Sequence, residues 1–191
     1  MRNATWKDRE LVVDIILKTF NENPGVLWMF RKNCDKAICL KRLAEYAFIK
    51  SLNRNGVFIS ANEKGVAFCY QWDLKIFSLK ELIMELKFAI TCIGIFNLRK
   101  VLQREAIRKS IRPSDGKYLY FWFFGVASGG DRAAWELKDG LREWAKELNY
   151  PIYLETAVER NVWVYQRIGF KTYHEWHDEQ KQIHFWFMKW E

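Results

Sequence analysis

Apolar residues recur along this chain with two periods, and the switches between them divide it into elements. From Trp6 to Phe20 the apolar positions Leu11, Val12, Ile15, Ile16 and Phe20 lie one, three or four residues apart, which predicts a helix. Asn21 to Gly25 interrupts it. A second helix is expected from Asp35 to Leu52, with Leu40, Leu43, Ala47 and Phe48 inward, and Asn53 to Gly56 ends it. Val57 to Ser60 and Val66 to Trp72 read as strands joined by the turn residues Asn62 to Gly65. From Ser78 to Lys117 the period is helical again: Leu79, Leu82, Ile83, Leu86 and Ile90 mark one helix, and Ile95, Leu98, Leu102 and Ile107 another. Tyr118 to Val126 (YLYFWFFGV) is apolar on both faces and predicts a central buried strand. A helix from Asp131 to Leu148 follows, with Leu137, Leu141, Trp144 and Leu148 inward. Phe170 to Trp176 and Ile183 to Trp190 form a last hairpin around a charged turn.

The segment YLETAVERNVWVYQRIGF, Tyr153 to Phe170, joins strand, helix and strand at fixed spacing. Pro151 and Ile152 open a short apolar strand that Tyr153 and Leu154 close. Glu155 and Thr156 stand at its exit, where ligands bind in open sheets. From about Glu159 the pattern is helical, and Asn161 and Tyr165, four apart, share a face. Val164 and Ile168 form the neighbouring apolar stripe, Gly169 caps the helix in the left-handed conformation, and Phe170 begins the next strand. Taken alone, the segment is equally a βαβ unit whose tyrosine packs between helix and sheet.

With Glu155, Asn161, Tyr165, Gly169 and Phe170 all in place, the segment resembles the carboxy-terminal motif of the GNAT superfamily, the acetyl-CoA-dependent N-acetyltransferases. In order of elements the resemblance runs from the first helix to Trp190. It implies an α/β (α+β) fold, a mixed central sheet flanked by helices. It also implies one domain over residues 1–191, with 78–117 as a helical insertion between the third and fourth strands. That insertion either shapes the acceptor site or covers an otherwise exposed sheet face. The implied activity is transfer of an acetyl group from acetyl-CoA to a primary amine of a small molecule or peptide, by direct attack in a ternary complex. Asn161 is then a contact to the pantetheine arm, and Tyr165 the acid that protonates the departing thiolate. Glu155 is the nearest candidate base, with a structural role as an acceptor of backbone N–H groups as its alternative.

The family holds the cofactor's pyrophosphate on a glycine-rich loop between the central strand and the next helix, with backbone N–H groups and the helix N-terminus. The corresponding segment is GVASGGDRAAWEL, Gly125 to Leu137, and it departs from the family's pattern. The loop is about two residues short when Leu137 is aligned by helical phase. Gly129 and Gly130 open the turn, while Arg132 and Ala134 stand at usual glycine positions. Arg132 either binds phosphate or blocks it, and Asp131 is a good N-cap whose charge opposes an anion. The cofactor set implied is Phe124, Gly125, Val126, Gly129, Gly130, Asp131, Arg132, Ala133, Ala134 and Asn161. The alternative is a catalytically inactive module of the same fold that binds CoA weakly or binds another ligand.

Composition narrows the partners further. The chain carries 31 Lys and Arg against 23 Asp and Glu, a net charge of +8, and seven of the basic residues crowd between Arg99 and Lys117. The reading adopted for that run is a solvated helix face, with nucleic-acid binding not expected because no reading motif accompanies it. The longest apolar stretch, Phe88 to Phe96, is far short of the ~20 residues of a membrane crossing, so the expectation is a cytoplasmic protein without a membrane partner. A homodimer is left open. Cys34, Cys39, Cys69 and Cys92 form no C-x-x-C pair and read as reduced packing residues. His174, His177 and His184, with Glu175 and Asp178, flank a hairpin turn without a tetrahedral set, so no metal is expected.

Overall fold

The computed structural model describes residues 1–191 apart from Phe96. Its strands form one mixed sheet in the order β1-β2-β3-β4-β5-β7-β6. β1 (Arg2–Asn3), β2 (Val57–Ile59), β3 (Gly65–Gln71) and β4 (Leu119–Val126) pair antiparallel in sequence. β5 (Ile152–Thr156) runs parallel to β4, and β7 (Ile183–Trp190) inserts antiparallel between β5 and β6 (Lys171–Asp178). One face carries α1 (Arg9–Phe20), the short α2 (Pro24–Leu27) and α3 (Lys36–Leu52). There Ile15, Ile16, Leu43 and Phe48 pack with Phe68, Phe123 and Phe187. The other face carries α6 (Asp131–Leu148) and α7 (Glu159–Arg167), with Leu137, Leu141 and Val162 against Cys69, Phe121 and Leu154. Between β3 and β4 lie α4 (Leu79–Phe88), a π-helical turn at Ala89–Ile93 and α5 (Gly94–Ser110). This is a mixed α/β architecture, as the periodicity indicates.

Local chemistry sets the boundaries. α3 begins one residue after Asp35, whose side chain accepts from the Ile38 N–H at 3.0 Å as its N-cap. Where Asn21 to Gly25 reads as a break, the chain makes the extra helical turn α2. Asn23 caps it, with Oδ1 3.1 Å from the Val26 nitrogen, and Pro24 occupies its first position. Gly65 at the start of β3 is a close-packing requirement: a Cβ there would lie 2.8 Å from that of Ala133 and 2.9 Å from Leu137 Cδ1, so glycine lets α6 settle on the sheet.

Two expectations are corrected. On α7 the inward residue is Val162, whereas Val164 is half-exposed, because this nine-residue helix presents only a narrow edge to the sheet. The basic run from Arg99 to Lys117 is not a solvated face. Arg104, Arg108 and Arg112 are four apart and so share the inner face of α5 and its C-terminal turn, with side chains 15%, 11% and 1% exposed. Arg99, Lys109 and Lys117 face outward.

Candidate active site

The parallel ladder between β4 and β5 is short. It joins Leu119 to Ile152, Tyr120 to Tyr153 and Phe121 to Leu154 and ends there, although β4 continues to Val126 and β5 to Thr156. A bulge on β4 starts at the same place. Phe68 and Cys69 of β3 pair with Phe123 and Phe121, leaving Trp122 as the extra residue. Trp122 and Phe123 consequently both turn toward the α1/α3 layer, while Phe121 and Phe124 turn toward α6 and α7. The central strand thus parts from its neighbour where its side-chain alternation is re-set, and the sheet opens to both sides.

A cavity lies on each side of that opening. The cleft between α6 and α7 has a volume of about 210 Å³ and is mostly apolar, bordered by Ala134, Leu141, Arg142, Val164 and Ile168. Opposite lies a cavity of about 100 Å³ bordered by Asn23, Arg104, Trp122, Glu155, Thr156 and Phe185. Phe121, Phe124, Asn161 and Tyr165 border both. Tyr165 packs edge-on against Phe121, with centroids 6.4 Å apart, and lies tilted against Phe170 at 5.5 Å. Burial alone pushes its phenol up to about 12, so it keeps its proton throughout the neutral range. Asn161 is one helical turn before it, in the first turn of α7.

Glu155 is committed elsewhere. Its Oε1 accepts from Arg112 Nη2 at 2.9 Å and lies 3.6 Å from Arg108 Nη1, and its Oε2 is 3.8 Å from Arg104 Nε. The guanidinia also stack on rings: Arg108 over Trp72 and Tyr120, Arg112 over Tyr118, Tyr120 and Tyr153, and Arg104 over Trp28 and Phe185. Burial pushes the Glu155 carboxyl upward, but the guanidinia of Arg108, Arg112 and Arg104 outweigh it and hold the group below the ordinary carboxylate range. A carboxylate so stabilised takes up a proton poorly, which weighs against the role of base expected for it. Its partners are also guanidinium groups rather than the backbone N–H groups of the structural alternative. Sequence reasoning placed these arginines on a solvated face and so missed their network with Glu155. Their signal is the spacing Arg104, Arg108, Arg112 opposite the inward rings of β3 and β4 and a lone acid on a buried strand.

The loop from Ala127 to Gly130 enters α6 through Gly129, in the left-handed region at φ 72°, and Gly130 at its N-cap position. The Gly130 N–H bonds to Ala127 O, and the N–H groups of Ala133 and Ala134 bond to Gly130 O. Ala133 is wholly buried against the sheet, a packing residue rather than a ligand contact. The N–H groups of Asp131 and Arg132, in the first turn of α6, have no intrahelical acceptor by position, and both side chains point to solvent, leaving the helix start open. Lys64 adds positive charge, its Nζ 3.5 Å from Gly129 O. Along the cleft, Arg142 Nε is buried without a partner among the described residues. Gly125 and Val126 pair with Val66 and Gly65 of β3, and of the β4 trio only Phe124 reaches the cavities. The start of α6, with its unpaired N–H groups, Asp131 carboxylate and nearby Lys64, thus adjoins the apolar cleft that runs past Ala134 to Tyr165.

No protein-family model and no curated protein sequence matches this chain. Solved structures do. The carboxy-terminal condensation domain of Ebony, in complex with beta-alanyl-dopamine, superposes with a TM-score of 0.68 at 13% identity, over 98% of this chain and 96% of the other. A histone acetyltransferase HPA2 and related acetyltransferase from Corynebacterium glutamicum gives 0.65 at 17%, over 98% and 93%. Arylalkylamine N-acetyltransferase 2 from Aedes aegypti gives 0.65 at 14%, over 98% and 96%. Likeness at this level of identity speaks to architecture, and over nearly its full length this chain has the fold of the GNAT acetyltransferases.

Proposed function

We propose that this protein is an N-acetyltransferase that moves an acetyl group from acetyl-CoA to a primary amine within a ternary complex. The observation that carries the reading is the pair of cavities meeting at Phe121, Phe124, Asn161 and Tyr165, where β4 and β5 part. Acetyl-CoA would supply the activated thioester. The open helix start at Asp131 and Arg132, with Gly129, Gly130 and Lys64, would hold its diphosphate, and the cleft beside Ala134 and Asn161 its arm.

The opposite cavity receives the amine. Its walls include Phe20, Trp122, Phe123 and Phe185, and a volume of about 100 Å³ suits a small aryl or alkyl amine better than a folded peptide. It offers no free carboxylate, because Glu155 is held by three arginines. The amine is therefore used as its free base, its proton lost to water beforehand. Around Glu155, three guanidinia stand against two carboxylates, Glu155 and Glu105, and this residual positive charge disfavours a polycationic acceptor.

Tyr165 is the proton donor. It holds a proton at its phenol oxygen where both cavities meet, beside the position a departing thiolate would occupy. Purified protein given acetyl-CoA and a panel of arylalkylamines should release free thiol. Tyr165→Phe should lower kcat by about 100-fold, at the low end for a lost general acid, with acetyl-CoA affinity unchanged. Thiol release at the wild-type rate would remove the acid role, and no release with any amine would remove the activity.

A further inference from the structure

Helix α4 faces the wrong way for a soluble protein. Its outer surface carries Leu79, Leu82, Ile83, Leu86 and, one turn beyond, Ile90, between 43% and 71% exposed, and Phe77 just before the helix is 86% exposed. Residues three and four apart share a helix face, so these form one stripe. The inward side carries Met84, the buried Phe88 and a polar group: Glu81 is buried, with Oε2 2.9 Å from Arg54 Nη1 and 3.2 Å from Asn53 Nδ2. Five of the helical apolar residues therefore point away from the core that Met84 and Phe88 join, and contiguous exposed apolar surface of this kind marks an interaction site.

The flanking charges choose the partner. Lys80 and Lys87 border the stripe, and Glu85 is the one exposed acid on the helix, since Glu81 is spent on Arg54. Lys80 Nζ also sits 4.0 Å above the ring of Trp6, which is itself half-exposed, placing an amphipathic ring at the edge of the patch. A second copy would bring the same lysines against one another within a chain whose net charge is already +8. An apolar stripe flanked by lysines and aromatic rings complements an anionic lipid surface.

We propose that the outer face of α4 seats this protein on the surface of bilayers containing anionic phospholipids. Among the described residues no helix is long and apolar enough to cross a membrane. The ten residues of α4, ~15 Å at 1.5 Å per residue, lie in the plane of the interface with Leu82, Ile83 and Leu86 at the acyl boundary and the lysines at the headgroups.

The test is flotation with vesicles of phosphatidylcholine alone and of phosphatidylcholine mixed with phosphatidylserine, with light scattering of the free protein. The wild type should float with the mixed vesicles, less so at high salt, and be monomeric without them. Lys80→Gln with Lys87→Gln should weaken binding about 30-fold. Ile83→Gln with Leu86→Gln should abolish it while leaving the thermal midpoint close to that of the wild type, since these side chains are exposed. Failure of the wild type to float with phosphatidylserine vesicles would overturn the proposal. So would a dimer that Ile83→Gln with Leu86→Gln converts to monomer, which would assign the face to a second copy.

Discussion

The two cavities beside the parted strands are built on different principles. The cleft between α6 and α7 is an absence of packing: β4 and β5 stop pairing after Phe121 and Leu154, and apolar side chains such as Leu141 and Ile168 border the gap. The opposite cavity is bounded by an assembled charge network, in which Arg104, Arg108 and Arg112 converge on Glu155 and stack on rings that include Trp28, Trp72, Tyr120, Tyr153 and Phe185. The first shape follows from backbone geometry and tolerates changes of lining. The second depends on each member, because removing one partner strands buried charge.

The sharpest way to break this contrast is Glu155→Gln. It leaves the buried guanidinium of Arg112 without its carboxylate, while Arg108 keeps Glu105, and should destabilise the protein by about 3–5 kcal/mol in denaturant melts at neutral pH. A loss below about 1 kcal/mol would mean the rings alone support the arginines. The pH dependence has a defined sign. The folded-state pKa of Glu155 is depressed, so its contribution is full above the unfolded carboxylate value near 4.3 and is lost as pH falls through the folded value. The gap between wild type and Glu155→Gln should therefore close in acid below about pH 4, and a gap independent of pH would contradict the assignment.

Arg104→Met sharpens the comparison from the other side. Arg104 is the arginine bordering the acceptor cavity, and its replacement, which removes the cluster's residual positive charge, should lower KM for a polycationic amine about tenfold while leaving acetyl-CoA affinity unchanged. Equal changes for both ligands would mean that the cavities are one site. The smallest effect expected is an absence of change. With the Tyr165 phenol pushed up to about 12, kcat should show no alkaline fall from this group up to about pH 10, where an unshifted tyrosine would be half ionised.

What the sequence disclosed divides along the same line. The cleft side was legible because its determinants are local: the 3.6-residue spacing of Leu137, Leu141 and Leu148, the Asn161–Tyr165 pair, and the Gly169 cap, which adopts φ 88°. The acceptor side was not, since its contacts cross long stretches of chain. Arg112 and Glu155 are 43 residues apart, and an arginine on a helix looks the same in sequence whether it faces water or a buried carboxylate. The bulge at Trp122 was equally hidden, because a strand apolar on both faces gives no alternation for an extra residue to disturb. The outward turn of α4 escaped for a related reason. Periodicity gives the helix and its stripe but not which way the stripe points, and here it is Glu81, Met84 and Phe88 that face inward.

The central claim, that the α6/α7 cleft and the start of α6 receive acetyl-CoA, is tested most directly by titration calorimetry of acetyl-CoA into the wild type and into Ala134→Trp, which fills the cleft beside Tyr165. The account predicts saturable heat at one site for the wild type and its loss in the variant, with the fold retained by circular dichroism. Absence of heat in the wild type, or undiminished binding once the cleft is filled, would contradict it.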